Sequence, residues 1–512
     1  MASVLASCTA KFEEYNTNPY GPTPGQMVGD GANVGSLIMD MQQVLVQGHQ
    51  NRSQMIEQMI GSEYGGHISC IALWGNTGNF YTYNPRIGWV GQPFDEILPQ
   101  IYTNYFEITK LTEAKGAVYH WAQILRVFGS QLLASIYGPL PYSNVKEDVM
   151  TVAYDTEADL YNAMFAELDE AIVGLTPIAA SGEDTSILAE YDMVYNANFT
   201  KWVKFANTLK LRMAMRISNV APELAQTKAE EAVSHAIGVL SDAGDAAWSS
   251  YNDGMNPYYR VEIEWNGGEI RLSANIASYL VGYADPRLEK YAKKTTYGEN
   301  DQPAVYGVRN GIKQTEGSMS EYQKFSTTAI GKSDKLLSMS ASEAWFLRAE
   351  GALKGWNMNG SAKDLYETGV KVSMEERGAS VDMYLTSEAV PASYEDPYNS
   401  TNDIAAVSEV TPKYDESASA AENLERILVQ KWIASFPNGW ERWADFRRTG
   451  YPKMFPVVNN ENKDGVTPER GMRRVPYSQN EYNTNPTNVA AAVVSLGGPD
   501  TGATDLWWAK KN

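Results

Sequence analysis

The sequence predicts a mainly α-helical fold, built from paired helices and interrupted by long irregular segments. Three observations carry this reading. Apolar residues recur at 3–4 spacing over several long stretches, the signature of a helix with one buried face. Those stretches come in neighbouring pairs, the one after Ser340 spanning about 36 residues, close to the 34 of a tetratricopeptide (TPR) repeat, with the consensus positions poorly kept. Between the pairs lie stretches rich in Gly, Asn, Tyr, Trp and Pro with no helical period, which in a helical scaffold are more often functional than idle.

The elements follow in order. Residues 1–38 read as an N-terminus and extended arm, with Phe12-Glu13-Glu14-Tyr15-Asn16-Thr17-Asn18-Pro19 followed by Gly and Pro up to Gly25. From Met39 the pattern turns helical, and residues 39–512 are read as one domain. The first pair occupies 115–175. Its first stripe is Ala117, Trp121, Ile124, Leu125, Phe128, Leu132 and Ile136, ended by Gly138-Pro139. Thr156-Glu157-Ala158-Asp159 resembles a capping box and opens the second stripe, Leu160 to Leu175, which Pro177 is expected to close. The second pair covers 199–240, with Trp202, Phe205, Leu209, Met213 and Ile217, then Ala229, Ala232, Val233 and Leu240. In the third, 340–377, Ala349, Ala352 and Gly369 are small enough to let two helix axes approach, and Trp345 is read as core. The fourth covers 421–448. Loop-rich segments are expected at about 60–100, 248–335 and 381–420, with a turn-rich tail beyond Tyr451 and small strands only as hairpins within the loops.

Composition narrows the function. The 512 residues hold 62 acidic and 42 basic side chains, a net charge of −20, which argues against a nucleic-acid partner. No apolar run approaches the ~20 residues that span a bilayer. Trp and Tyr (13 and 31) far outnumber Phe (13), so most rings carry a polar handle suited to half-wet surfaces.

The two cysteines cannot form a disulfide framework. Cys70 lies in an apolar run and reads as a buried thiol. Cys8 follows Leu5-Ala6-Ser7, and Leu-Ala-Ser-Cys looks like a bacterial lipobox, whose Cys becomes the lipidated N-terminus; the alternative is a chance tetrapeptide in a tail. Only Met1–Val4 precede it, short of the apolar region of a signal peptide, so the start reads as truncated or mis-assigned.

The usual signatures of catalysis are missing. His49, His67, His120 and His235 lie far apart, with no zinc spacing. Gly331-Lys332-Ser333 imitates the end of a P-loop, but Ser326 stands where a Gly is required. There is no Gly-x-Ser-x-Gly elbow. Asn460-x-Asn462-x-Asp464-Gly465 partly matches a calcium loop but lacks the first Asp and has Gly471 at the twelfth position, so it reads as a polar turn. No catalytic residue and no cofactor is expected, with calcium at this loop as the weaker alternative. The basic run Lys201, Lys204, Lys210, Arg212, Arg216 reads as a solvated helix face pairing with neighbouring carboxylates, and Trp440–Arg448 as a short amphipathic helix with ion pairs.

The aromatic loops are the better signal. Trp74, Tyr81, Tyr83 and Trp89 interleave with amides and glycines in one segment. Trp248, Tyr251, Asn252, Asp253, Asn256, Tyr258, Tyr259, Arg260, Trp265 and Asn266 do so in another. Flat rings cover the C–H faces of a sugar, while Asn, Asp and Arg exchange hydrogen bonds with its hydroxyl rim. The alternative is that these rings staple the loops to the helices.

Several segments together resemble the SusD/RagB family of nutrient-binding outer-membrane lipoproteins. They are Cys8 with Phe12–Pro19, then Ser342-Glu343-Ala344-Trp345-Phe346-Leu347-Arg348-Ala349-Glu350, then Leu365–Val370. Trp440-Glu441-Arg442-Trp443 running into Phe446–Pro452, Arg473-Arg474-Val475-Pro476-Tyr477 with Glu481 and Asn485, and Asp505-Leu506-Trp507-Trp508 complete the set. The resemblance implies a right-handed superhelix of TPR-like helix pairs whose irregular segments form a binding face. It implies a protein lipid-anchored through Cys8 to the outer membrane and facing the exterior. There it captures oligosaccharide and passes it to a SusC-like TonB-dependent transporter, without catalysis. By region, the ligand-binding residues it implies are Trp74, Tyr81, Tyr83, Trp89, Tyr258, Tyr259 and Trp265, with Asn266 beside them. Two other readings share the composition. An α-helical carbohydrate-active enzyme needs two carboxylates in an aromatic cleft, and a TPR adaptor needs its aromatics on the concave helical surface.

Overall fold

The computed structural model describes residues 31–45, 47–74, 79–182, 184–251, 254–298 and 302–510. Cys8, its lipobox and most of the arm therefore lie outside the described residues. The principal helices are α1 (Ala32–Met41), α2 (Gln92–Leu111), α3 (Gly116–Tyr137), α4 (Glu157–Ser181) and α5 (Phe199–Arg216). They continue with α6 (Pro222–Ser234), α7 (Ala341–Leu353), α8 (Ala362–Glu376), α9 (Ala420–Ala434) and α10 (Gly439–Thr449).

Side chains set the helix starts by accepting the N–H groups that a first turn leaves unpaired. Thr156 accepts from Asp159 N–H at 3.2 Å, Asn198 from Lys201 at 3.1 Å, Ser340 from Glu343 at 3.1 Å and Ser361 from Asp364 at 3.1 Å. Ser419 and Glu422 form a reciprocal capping box. At the other end, α10 stops where Gly450 turns left-handed (φ 88°), a conformation that costs glycine nothing.

The helices stack as the stripes require. α2 packs on α3, α3 on α4, α4 on α5 and α5 on α6; α7 packs on α8, and α9 covers both. One continuous apolar core runs through these contacts. At its centre Trp202 lies 5.2 Å from Trp121 and 5.3 Å from Phe205, and its indole N–H donates to Asp192 at 2.8 Å. Close approach between α7 and α8 depends on Gly369, where a Cβ would stand 2.9 Å from the Phe346 ring.

The structure corrects several expectations. Helix α1 begins at Ala32, inside the span read as arm, because Ile38 and Met41 bury against the core. Pro177 does not close α4; it lies inside the helix a little more than one turn from its end, and the helix ends at Gly182 (φ 67°). Helix α2 starts within the segment read as irregular, and Pro486–Leu496 is helical within the turn-rich tail. Strand is sparse as expected, but not as local hairpins. β1 (Ile68–Cys70) pairs with β3 (Ile270–Leu272), and β2 (Ala247–Ser249) with β4 (Leu336–Met339), each across a long stretch of chain. Trp345 is only half-buried, its N–H bonded to Ser241 O at 2.8 Å, and the adjacent Phe346 is the core residue.

The largest correction concerns charge. The basic run on α5 is not a solvated face: Lys210, Arg212 and Arg216 are buried. Lys210 pairs with Asp169 and Glu231. Arg212 makes a two-pronged pair with Glu343 (2.9 and 2.8 Å), and Arg216 reaches Glu441 and Ser135. Arg442 and Lys431 add Asp445, each at 3.1 Å, and Arg448 closes on Glu350. This network ties α5, α7, α9 and α10 together. Burial alone would raise the Glu343 carboxyl, but Arg212, Arg442 and Lys431 outweigh it and bring it down to about 2.

Candidate ligand-binding site

Strand pairing brings the two aromatic segments together. β1 and β3 run antiparallel with Cys70 opposite Ile270, and Ile71 N–H continues the ladder to Glu269 O at 2.8 Å. In this register the chain leaves β1 toward Trp74 at the same end of the ribbon where it enters β3 from Trp265 and Asn266.

In the first segment, Trp74 is half-buried and meets Trp89 edge-on at 5.8 Å and Tyr81 at 6.1 Å. Arg86 fixes the pair: its guanidinium lies 4.3 Å from the Trp89 ring centroid and donates to Trp74 O at 2.8 Å. Leu73, next to Trp74, and Ile87, two residues before Trp89, stand exposed, Ile87 at 73%. The second segment presents Tyr259 and Trp265, both half-buried, with Ile263 and Asn266 exposed. Trp265 rests on the cluster of Ile68, Tyr258, Val261, Ile270 and Leu336. Asn266 adopts φ 49°, donates to Glu269 and accepts from Gln323 at 2.8 Å.

Three of the rings read as binding residues are placed elsewhere. Tyr81 is 2% exposed and its hydroxyl donates to Ala72 O at 3.1 Å, so it is core. Tyr258 is likewise 2% exposed, its hydroxyl held by Ser62 (2.7 Å), Glu57 (3.2 Å) and Pro437 O (3.2 Å). Burial pushes the Glu57 carboxyl up to about 8 despite bonds from Gly439, Tyr258 and Ser62, so it is neutral at pH 7. Tyr83 turns away from Trp74 and Trp89. It lies 5.9 Å from Tyr64, borders a small cavity with Trp443 and Phe446, and its carbonyl accepts from Asn462 at 2.9 Å. Alternation of rings with amides did not separate these from the half-exposed rings, because a tyrosine that anchors a loop has the same neighbours in sequence as one that offers its face. Arg86 went unread, although its place three residues before Trp89, at the start of the short helix Ile87–Val90, is what lays a cation on the ring.

The Asn460–Gly465 loop is a polar turn. Asn460 Oδ1 accepts from Asn462 N–H (3.0 Å), and Asn462 Oδ1 from Asp464 and Val466 (2.8 and 3.1 Å). Among the described residues no three His, Cys, Asp or Glu side chains gather as a metal site.

What remains are half-buried rings in two segments, Trp74 and Trp89 with Arg86 beside them in the first, and Tyr259 and Trp265 with Asn266 next in sequence in the second. Rings so placed bind apolar faces edged with hydrogen-bonding groups. Trp74 and Trp89 pack on the main apolar core and Trp265 on the smaller cluster of Tyr258, and all four rings lie outside the ten principal helices, on which an adaptor would carry them.

Comparison with known proteins agrees with the fold. A family model described as SusD-like, SusD and RagB outer membrane lipoprotein, matches residues 14–509. No curated protein matches. Among solved structures, a SusD-like protein from Bacteroides thetaiotaomicron VPI-5482 is 41% identical with a TM-score of 0.88, over 94% of this chain and 99% of that one. A chitin-binding SusD homologue from Flavobacterium johnsoniae is 36% identical with a TM-score of 0.88, over the same shares of the two chains. A SusD homologue from Bacteroides uniformis ATCC 8492 is 38% identical with a TM-score of 0.87, again over 94% and 99%. No described helix is long and apolar enough to cross a membrane. The chain belongs to the SusD-like family, outer-membrane lipoproteins that are binding proteins and not enzymes.

Proposed function

We propose that this protein captures oligosaccharides at the cell surface and delivers them to a SusC-like TonB-dependent transporter. The observation that supports the proposal is the set of half-exposed rings, Trp74 and Trp89 in one segment and Tyr259 and Trp265 in the other, on segments that the β1–β3 pairing joins in a chain of this family. The chitin-binding relative from Flavobacterium johnsoniae supports a glycan as cargo. Stacking on half-exposed rings gives affinities in the micromolar to millimolar range, about 4–8 kcal/mol in total. Such weakness suits a protein that must release its cargo. Titration of the recombinant chain against neutral and acidic plant, host and microbial oligosaccharides tests this. At least one should bind in that range and be recovered uncleaved; no binding across the panel, or cleavage of a bound sugar, contradicts the reading.

The anchor is proposed to be a lipid on Cys8, from the Leu5-Ala6-Ser7-Cys8 sequence and the family. With a complete signal peptide supplied, Cys8→Ala should move the protein from the membrane to the soluble fraction. Retention of the variant, with no labelled lipid on the wild type, would exclude the assignment.

A further inference from the structure

A second cleft adjoins the Trp265 segment. Its volume is about 240 Å³, and its lining includes Trp248, Leu336, Lys290, Asp334, Lys335 and Arg377. Leu336 belongs to both places, lining this cleft and forming part of the cluster on which Trp265 rests. The β2–β4 pairing sets Trp248 opposite Leu337 and so builds the apolar wall.

Arg377 is held rigidly. Its guanidinium stands 4.9 Å from the centroids of both Trp248 and Tyr291, and Nη2 donates to Phe436 O and to Ala434 O (3.4 Å). Its Nε is buried and has no hydrogen-bond partner. Lys290 and Lys335 are exposed and make no ion pair among the described residues. The one carboxylate, Asp334, already accepts from Gly331 N–H at 2.8 Å. Among the lining residues three cations thus face one carboxylate, with Glu376 beside Arg377 and Glu289 beside Lys290 outside the lining, in a chain whose net charge is −20. Solvated lysines alone are unremarkable, but here two of them flank a fixed arginine and an indole in a concave site. A cleft of one sign with a low-dielectric wall concentrates counter-ions of the other.

We infer that this cleft is an anionic subsite, which takes the carboxylate or sulfate ester of an acidic saccharide whose neighbouring residues lie on the Trp265 side. The inference rests on the glycan-binding reading and narrows it to a substrate class. Guanidinium and ammonium groups pair with either oxyanion, and Trp248 with Leu336 suits the apolar face of the same sugar ring.

The test is equilibrium titration of the full chain with trigalacturonate and with a chondroitin sulfate tetrasaccharide. Methyl-esterified trigalacturonate serves as the uncharged control, and sodium acetate and sodium sulfate as free anions. At least one acidic probe should bind. Lys290→Gln with Lys335→Gln, both at exposed positions, should weaken it about tenfold, and raising salt from about 50 to about 300 mM should weaken it further. The ester should bind no better to wild type than to the double variant. The inference is overturned if neither acidic probe binds better than the ester, or if the double variant binds them as wild type does. Free sulfate competing at the probe's own concentration would also overturn it, by showing a bare anion site. Neutral oligosaccharides in the same panel keep the two readings apart. If they bind while the acidic probes do not, the subsite falls and glycan capture stands; if nothing binds, both fall.

Discussion

Glu343→Ala should destabilise the fold by about 3–5 kcal/mol, the cost of removing one partner from a buried ion pair. The carboxylate is 3% exposed and faces Arg212 at 2.8 Å and Arg442 at 3.4 Å, with Lys431 at 4.0 Å. Its loss leaves three buried cations with Glu441, Asp445 and the more distant Glu350 to balance them, so the penalty comes from under-compensated charge and not from one lost contact. Because α5, α7, α9 and α10 all contribute charges, the variant should unfold at lower denaturant as a whole and not fray at one helix. A midpoint within error of wild type would show that the network relaxes or is hydrated, and that it does not hold these helices together.

Trp202→Ala should cost a similar amount, about 3–5 kcal/mol, whereas Trp345→Ala should cost about 1 kcal/mol. Both are tryptophans on helical stripes, yet Trp202 is fully buried against Trp121, Tyr195 and Phe205, and its N–H is tied to Asp192. Trp345 keeps part of its ring in solvent with Arg348 at 4.3 Å over one face. Removing Trp202 opens a cavity that three rings cannot fill. Parallel thermal melts of the two variants check the contrast; equal shifts would mean that burial does not rank these side chains.

How much was legible in the sequence depends on whether the governing interaction is local. Helix pairs were, because Thr156, Ser340 and Ser419 cap their own helices and the 3–4 stripes bury against the next helix in the chain. Charge was not. Arg212 and Arg216 look like a solvated face until α7 and α10 bring Glu343 and Glu441 over them, and no pattern within α5 announces partners so distant. The candidate site falls between these cases. The two ring-rich segments were visible, but the long-range β1–β3 register that joins them was not, and neither was the burial that removes Tyr81 and Tyr258 from it. Gly369 was legible for a simple reason: only a missing side chain lets Phe346 lie where it does.

The most direct measurement of glycan capture is a titration of the tightest neutral oligosaccharide against four forms of the full chain. These are wild type, Trp74→Ala, Trp265→Ala, and the core control Tyr258→Phe. Each tryptophan variant should lose about tenfold or more in affinity, about 1.4 kcal/mol, with its melting temperature nearly unchanged, while Tyr258→Phe binds as wild type. If both tryptophan variants bind as wild type does, or if both unfold, the rings are staples for the loops and the ligand is held elsewhere.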